Sequence, residues 1–254
     1  MPLELVTIPC LEDNYAYLLH NAETGETALV DAPEPGPIQA ELDKRGWTLT
    51  DIILTHHHWD HIDGLEPLRG NARVIGAAAD AHRLPELDLP IAEGDTPTVL
   101  GESVQIFDVA GHTIGHIAIY FPETGVAFTA DSLMAMGCGR LFEGTPEQMW
   151  NSMLKLRTLP SETIIASGHE YTLGNANFAA SLGETNNAVA ERIGDVQTAR
   201  ATGQTTVPTT LALECATNPF LRADDPALKS AIGLPNGSDV DVFTEIRSRK
   251  DKFW

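Results

Sequence analysis

The chain has 254 residues, 43% of them hydrophobic, and a formal net charge of −20 from 16 basic and 36 acidic side chains. That length can bury a large core, as one big domain or one domain with an appendage. The charge argues against general binding to a nucleic-acid backbone, and no run of about 18 apolar residues is present to span a membrane. The N-terminus lacks the basic region and apolar core of a secretory signal. Cys10, Cys138 and Cys215 are odd in number and far apart. They point to a reducing compartment, and the expected location is the cytoplasm. Arg247, Arg249, Lys250 and Lys252 crowd the last eight positions. By composition alone they read as a solvated, frayed tail.

In chain order, residues 3–9 and 14–20 read as strands joined by a tight turn at Leu11-Glu12-Asp13, and Thr27–Asp31 as a third strand. Residues 35–45 form a helix that ends at Gly46. The apolar run Asp51-Ile52-Ile53-Leu54 is a strand, followed by a short helix start at Ile62–Leu65. Arg73–Gly76 is another strand, and residues 77–100 show no clear period. Strands follow at 104–109, 117–121, 126–129 and 163–166. Thr145-Pro146-Glu147-Gln148 is a capping box that opens a helix to about Arg157. After Tyr171 strand-like runs stop. Ala-rich stretches at 173–182 and 186–203 read as helices, with shorter ones near 209–215, 225–231 and 239–248. The boundary is therefore placed near 171, giving domains 1–171 and 172–254 around a two-sheet layered core.

Leu54-Thr55-His56-His57-His58-Trp59-Asp60-His61 leaves the carboxyl end of a strand, where open α/β folds place ligand chemistry. His56 and His58 are two apart and point the same way on extended chain; Asp60 continues the spacing and His61 comes from the adjoining turn. One short loop can then hold two metal ions, His56 and His58 on one, Asp60 and His61 on the other. Imidazole with carboxylate suits Zn, Fe or Mn, not a Cys-rich structural site. The plain alternative is a surface histidine run or a tag, but a tag sits at a terminus and carries no interleaved Trp-Asp. His112, Asp131 and His169 each stand just past a strand as well. Each alone is weak, since a lone histidine beside glycine is more often a packing residue. His116 reads as core, or as a group orienting a neighbour.

The pattern Thr55-His56-x-His58-x-Asp60-His61, then His112, Asp131 and His169, resembles the metallo-β-lactamase superfamily. Residues 9–15, 136–146, 168–172, 217–222 and 247–253 resemble, more narrowly, the hydroxyacylglutathione hydrolase (type II glyoxalase) family. The Gly137-Cys138-Gly139-Arg140 stretch and the Arg247-x-x-Lys250-Asp251 tail carry the narrower match. The resemblance implies an α+β fold, a four-layer αββα core with a C-terminal α-helical domain. It implies two divalent ions per chain, Zn first, with Fe or Mn as alternatives. His56, His58 and His112 would hold one ion; Asp60, His61 and His169 the other; Asp131 would bridge. His57 is not a ligand in that pattern and reads as a spacer.

The expected reaction is hydrolysis of the thioester of S-D-lactoylglutathione and other 2-hydroxyacylglutathiones by a metal-bridging hydroxide, the second step of methylglyoxal detoxification. By the resemblance, Asp60 and Asp131 would be the catalytic carboxylates. A thiol leaving group needs no strong general acid. The resemblance places Arg140, Arg247 and Lys250 on the glutathione moiety, with Tyr171 adding a hydroxyl; the basic tail then reads as an anion clamp. Phe142 stands where some members have Tyr, and Cys138 reads as a small residue in a tight loop. A monomer is expected, with no nucleic-acid or membrane partner. A persulfide dioxygenase would need only a three-ligand iron site, and a β-lactamase or lactonase would not need the basic set. The charge disfavours a nuclease, and a metal-binding module would be expected to have lost ligands.

Overall fold

The structure is a computed structural model that describes residues 3–253; Met1 and Pro2, part of the N-terminal stretch read for a signal, lie outside it, as does Trp254. By its contacts the chain divides into two compact units, residues 1–108 with 115–130, and residues 109–114 with 131–254.

The first unit holds two sheets. Strands β1 (Glu4–Cys10), β2 (Asn14–His20), β3 (Thr27–Val30), β4 (Asp51–Leu54), β5 (Arg73–Ala77) and β6 (Leu89–Ile91) pair in that order. The pairs β1–β2 and β2–β3 are antiparallel; from β3 to β6 the pairs are parallel. Parallel neighbours need a crossover, supplied by α1 (Pro35–Arg45) between β3 and β4 and by α2 (Trp59–Ile62) and α3 (Leu65–Arg69) between β4 and β5. Helix α1 stops at Gly46, whose left-handed φ of 68° lets its N–H close back on Asp43 and Leu42 carbonyls.

Burial on both faces explains the unbroken apolar runs Ala28–Val30 in β3 and Ile52–Leu54 in β4. Ile38 and Leu42 of α1 and Leu65 and Leu68 of α3 pack on Leu18, Leu29, Ile52 and Leu54. Alternation then turns Tyr17 to the opposite face. There its ring meets Phe128 at 5.5 Å. Phe128 belongs to the second sheet, where β9 (Gln105–Asp108), β10 (Ile117–Phe121) and β11 (Val126–Ala130) run antiparallel. Between the sheets in sequence lies the stretch without a period, 77–100: a 3₁₀ turn at Ala78–Asp80, β6, then β7 (Thr98–Val99), which pairs with β8 (Glu102–Ser103) just beyond it. These pieces are too short to leave a periodic trace.

The second unit carries a small hairpin, β12 (Leu133–Met134) with β13 (Gly137–Cys138), and then α4 (Pro146–Leu156). Thr145 and Gln148 form the expected reciprocal cap of α4. After β14 (Ile164–Ser167) come α5 (Thr172–Ser181), α6 (Asn187–Ala201), α7 (Leu211–Thr217), α8 (Pro226–Ala231) and α9 (Asp239–Asp251). Val189 and Val196 of α6 bury against Ala176 and Ala179 of α5, and Trp150 of α4 meets Phe243 of α9 at 5.9 Å. One expectation fails here: strand structure does not stop at 171. Thr209 and Thr210 form β15, antiparallel to Ile165 and Ile164. Two β-branched residues suit an edge strand, and the helix starts only at Leu211 with Thr210 as its N-cap. Among the described residues no helix is long and apolar enough to cross a membrane.

Candidate metal centre

In the first unit, buried β4 delivers Thr55 and His56 at its carboxyl end. The chain stays extended to His58, the N-cap of α2, so Asp60 and His61 stand on a helical turn; the expected extended spacing ends at His58. The turn brings His61 back to His56, ring centroids 4.2 Å apart, with His58 4.7 Å from His56. His61 Nε2 and Asp60 Oδ2 are 3.7 Å apart. Asn14 Nδ2 donates to Asp60 Oδ2 at 3.1 Å and to its carbonyl at 3.0 Å, which fixes the carboxylate.

Asp31 organises this loop, and sequence reading assigned it no role beyond the end of a strand. It is buried just past β3, at a left-handed φ of 57°. Its Oδ1 accepts the Thr55 N–H at 2.9 Å; its Oδ2 accepts the Thr55 hydroxyl at 2.9 Å and faces His61 Nδ1 at 2.8 Å. A carboxylate only accepts, so His61 carries a proton on Nδ1, and in the neutral ring the lone pair is on Nε2. The Thr55 hydroxyl spends its proton on Asp31, so its oxygen accepts from His56 Nδ1, 3.0 Å away. His56 likewise presents Nε2. Fixing the outer nitrogen by an acceptor is how proteins set a metal-binding tautomer. The only advance signal was an acidic residue ending a strand next to the histidine strand.

His57 leaves the group, but not as a plain spacer: its Nδ1 lies 2.8 Å from Asp80 Oδ2, and Arg83 binds the other oxygen of that carboxylate. His116 is buried and stacked on His56 at 4.6 Å, as a packing or orienting residue would be.

In the second unit, His112, Asp131 and His169 come together. Asp131 Oδ2 lies 3.4 Å from His112 Nε2 and 3.3 Å from His169 Nε2, between the two rings. His112 Nδ1 faces the Arg140 carbonyl at 2.8 Å, which again leaves Nε2 as the donor atom. Gly139 makes that approach possible: a Cβ there would sit 1.9 Å from the Asp131 carbonyl oxygen and 2.9 Å from His112 Nδ1. Tyr171, 42% exposed, stacks on His169 at 4.6 Å, and Phe142, 61% exposed, meets His112 edge-on at 5.3 Å.

The basic residues of this unit differ in character. Arg140 is exposed, with its guanidinium over Phe142. Arg247 is 6% exposed; its two terminal nitrogens bind the Cys138 carbonyl at 3.0 Å and Asp251 at 2.9 Å. Lys250 reaches the Gly174 carbonyl at 3.3 Å, and burial, then the neighbouring Arg247, hold its ammonium below the ordinary lysine value. Arg249 pairs with Glu245 on the outer side of α9. Cys138 is buried, and burial pushes its thiol up to about 11 in spite of Arg247. At neutral pH it is a thiol and a poor nucleophile.

Every residue of the two sets, His56, His58, Asp60 and His61 in one unit and His112, Asp131 and His169 in the other, belongs to a donor group able to hold a metal ion. Imidazole nitrogens with carboxylates fit Zn, Fe or Mn, and the fixed tautomers fit divalent ions of that kind.

Comparison with known proteins agrees. Residues 12–169 match the family model of the metallo-β-lactamase superfamily, and residues 170–253 match the model described as the hydroxyacylglutathione hydrolase C-terminus. A hydroxyacylglutathione hydrolase of Ruegeria pomeroyi is 58% identical over 255 residues, covering all of this chain and all of its own. The solved structure of the B3 metallo-β-lactamase BLEG-1 is similar in fold, with a TM-score of 0.67 at 22% identity over 86% of this chain and 99% of that one. The structure of TTHA1623 in a di-iron-bound form gives a TM-score of 0.60 at 26% identity, over 85% of this chain and 99% of that one. The αββα core and the C-terminal helical region expected from sequence are therefore those of this chain. With both family models matched end to end and a full-length relative at 58% identity, the chain belongs to the hydroxyacylglutathione hydrolase family of the metallo-β-lactamase superfamily.

Proposed function

We propose that this protein hydrolyses the thioester of S-D-lactoylglutathione and related 2-hydroxyacylglutathiones to glutathione and a 2-hydroxy acid, the second step of methylglyoxal detoxification. Full-length identity of 58% to a hydroxyacylglutathione hydrolase carries the reading. The ligand assignment is His56, His58 and His112 for one divalent ion and Asp60, His61 and His169 for a second, with Asp131 shared. Asp131 Oδ2 midway between the His112 and His169 rings supports the shared role, and a di-iron form of the related TTHA1623 supports the count. Zn is the metal proposed, with Fe and Mn compatible with the same donors. Divalent ions held there would supply a hydroxide at neutral pH and offset charge developing on the thioester oxygen.

The chain's own residues supply the rest. Asp31 and Thr55 hold the His56 and His61 tautomers; Asn14 aims the Asp60 carboxylate. Arg140, Arg247 and Lys250 would offer positive charge to the two carboxylates of glutathione, with Tyr171 adding a hydroxyl. The tripeptide lies away from the reacting carbon, so loss of Arg140 or Lys250 raises KM more than it lowers kcat. Phe142 presents a ring without a hydroxyl next to His112. A domain division after residue 171 is proposed, with the metal ligands, Arg140 and Tyr171 in residues 1–171 and the glutathione contacts Arg247 and Lys250 in 172–254, supported by the family models meeting at 169 and 170. A cytoplasmic location is proposed, supported by three free cysteines, and with it a monomeric state.

The test is turnover of S-D-lactoylglutathione by purified protein, with metal content measured on the same sample. Turnover with close to two ions per chain, both lost in Asp131→Ala, supports the proposal. A fully metallated protein that leaves the thioester intact refutes it.

A further inference from the structure

Residues 131–140 join the aspartate of the second donor set to the exposed Arg140. The main chain turns sharply there, and Met136 takes a left-handed φ of 55° at the tip of the hairpin. A non-glycine residue holds such a conformation only where its surroundings enforce it. The surroundings are side chains of the helical region. Asn218 Nδ2 lies 3.0 Å from the Met134 carbonyl and 2.9 Å from that of Gly137. Asn175 Nδ2 donates to the Ala135 carbonyl at 3.0 Å, and Arg247 to that of Cys138 at 3.0 Å. The Met136 N–H itself donates to Glu214 Oε2 at 2.9 Å. Consecutive residues of this segment are thus held by α5, α7, the residue just past α7, and α9.

Glu214 is fully buried, and so is a poor place for a lone charge. Its second oxygen accepts from Arg192 of α6, which also donates to Thr217 and Thr209 hydroxyls. An apolar pair would serve stability as well, because a buried ion pair seldom stabilises more than packed hydrophobic residues. Leucine at 214, however, offers nothing to the Met136 N–H. We propose that the buried Arg192–Glu214 pair is a positioning device: it holds residues 131–140 in one path and so sets where Asp131 and Arg140 stand. The roles of Asp131 and Arg140 rest on the reading above; the hold on the segment does not.

The experiment compares the full chain with two double variants, R192L/E214L and R192L/E214Q. Both remove the ion pair, but only the glutamine variant keeps an acceptor for the Met136 N–H. Amide hydrogen exchange of residues 131–140 is read alongside kcat and KM for S-D-lactoylglutathione. We expect R192L/E214L to melt near the wild-type temperature yet exchange this segment about tenfold faster or more, with a matching fall in kcat/KM, and R192L/E214Q to recover most of both. A purely structural pair would shift melting and leave the two doubles alike. Wild-type exchange in R192L/E214L, or no difference between the doubles, overturns the proposal. Should the leucine double not fold, Asn218→Ala, which removes the donor to Glu214 Oε2 together with those to the Met134 and Gly137 carbonyls, takes its place in the exchange measurement: faster exchange of residues 131–140 supports the hold on the segment, and wild-type exchange overturns it. If the wild-type protein cleaves no thioester, the functional reading falls, while the exchange arm still decides this proposal.

Discussion

Asp31→Asn tests the tautomer argument with a change of one atom. The aspartate accepts from the Thr55 N–H, the Thr55 hydroxyl and the His61 ring, all within 2.9 Å. An asparagine has one acceptor oxygen. Turned toward Thr55 Oγ1 and His61, it leaves its NH₂ against the Thr55 N–H. Turned the other way, its NH₂ faces His61 Nδ1 and favours the tautomer with the proton on Nε2, the atom needed for the metal. Either way about one charge-assisted hydrogen bond is lost, ~1.5–3 kcal/mol. If the loss falls on the metal-binding state, the affinity should drop roughly 10- to 100-fold, the range seen when such outer partners are removed. The assay is equilibrium competition with a chromogenic chelator, run beside thermal melting of the metal-free protein. Metal affinity equal to wild type in a folded Asp31→Asn protein would refute the reasoning.

Further outcomes follow from the same geometry. Gly139→Ala forces the backbone apart where a Cβ would lie 1.9 Å from the Asp131 carbonyl, and should abolish turnover and weaken metal binding in one step; near-normal metal content would count against it. Cys138 is buried, with its thiol pushed up to about 11 from 9.0, so native protein should react with iodoacetamide far faster at the partly exposed Cys215. The folded state favours the neutral thiol, so this group's contribution to stability is full below pH 9.0 and falls away as pH rises toward 11, as urea melts across that window should show. Arg157 grips the Asp224 carboxylate with two nitrogens at 2.9 and 2.7 Å and holds its pKa below the usual range. That stabilisation is present above the ordinary carboxylate value and disappears as pH falls through the lowered one. Both groups are about a third exposed, so Arg157→Met should cost no more than ~1 kcal/mol at neutral pH, and less difference should remain in acid.

Much of the fold was legible because its signals are local. Helix α1 runs over the residues its Pro start and Gly stop mark, and β10 covers the run that alternates. The stretch 77–100 was opaque because its elements are two or three residues long and gain their pairing from distant strands. Thr209–Thr210 was misread for a related reason: the pairing that makes it a strand comes from Ile164 and Ile165, more than forty residues earlier. Asp60 reads from sequence as a continuation of the extended spacing because a one-turn helix is shorter than any periodicity can reveal.

The candidate donor side chains stand out in the sequence because metal chemistry restricts residue type: imidazole and carboxylate at such spacings offer the needed lone pairs. Length, charge and the strand before the histidine run were equally plain. What holds those donors was not. Asp31 reaches His61 across 30 positions, Arg140 turns its carbonyl to His112 across 28, and Glu214 takes the Met136 amide across 78. Asp, Asn and Glu occur everywhere on a surface, and nothing in their neighbours marks them as buried acceptors. Only the tertiary structure decides which of them face a histidine ring or a strained amide, because a hydrogen bond is set by direction and distance in space, and those depend on how every intervening element packs.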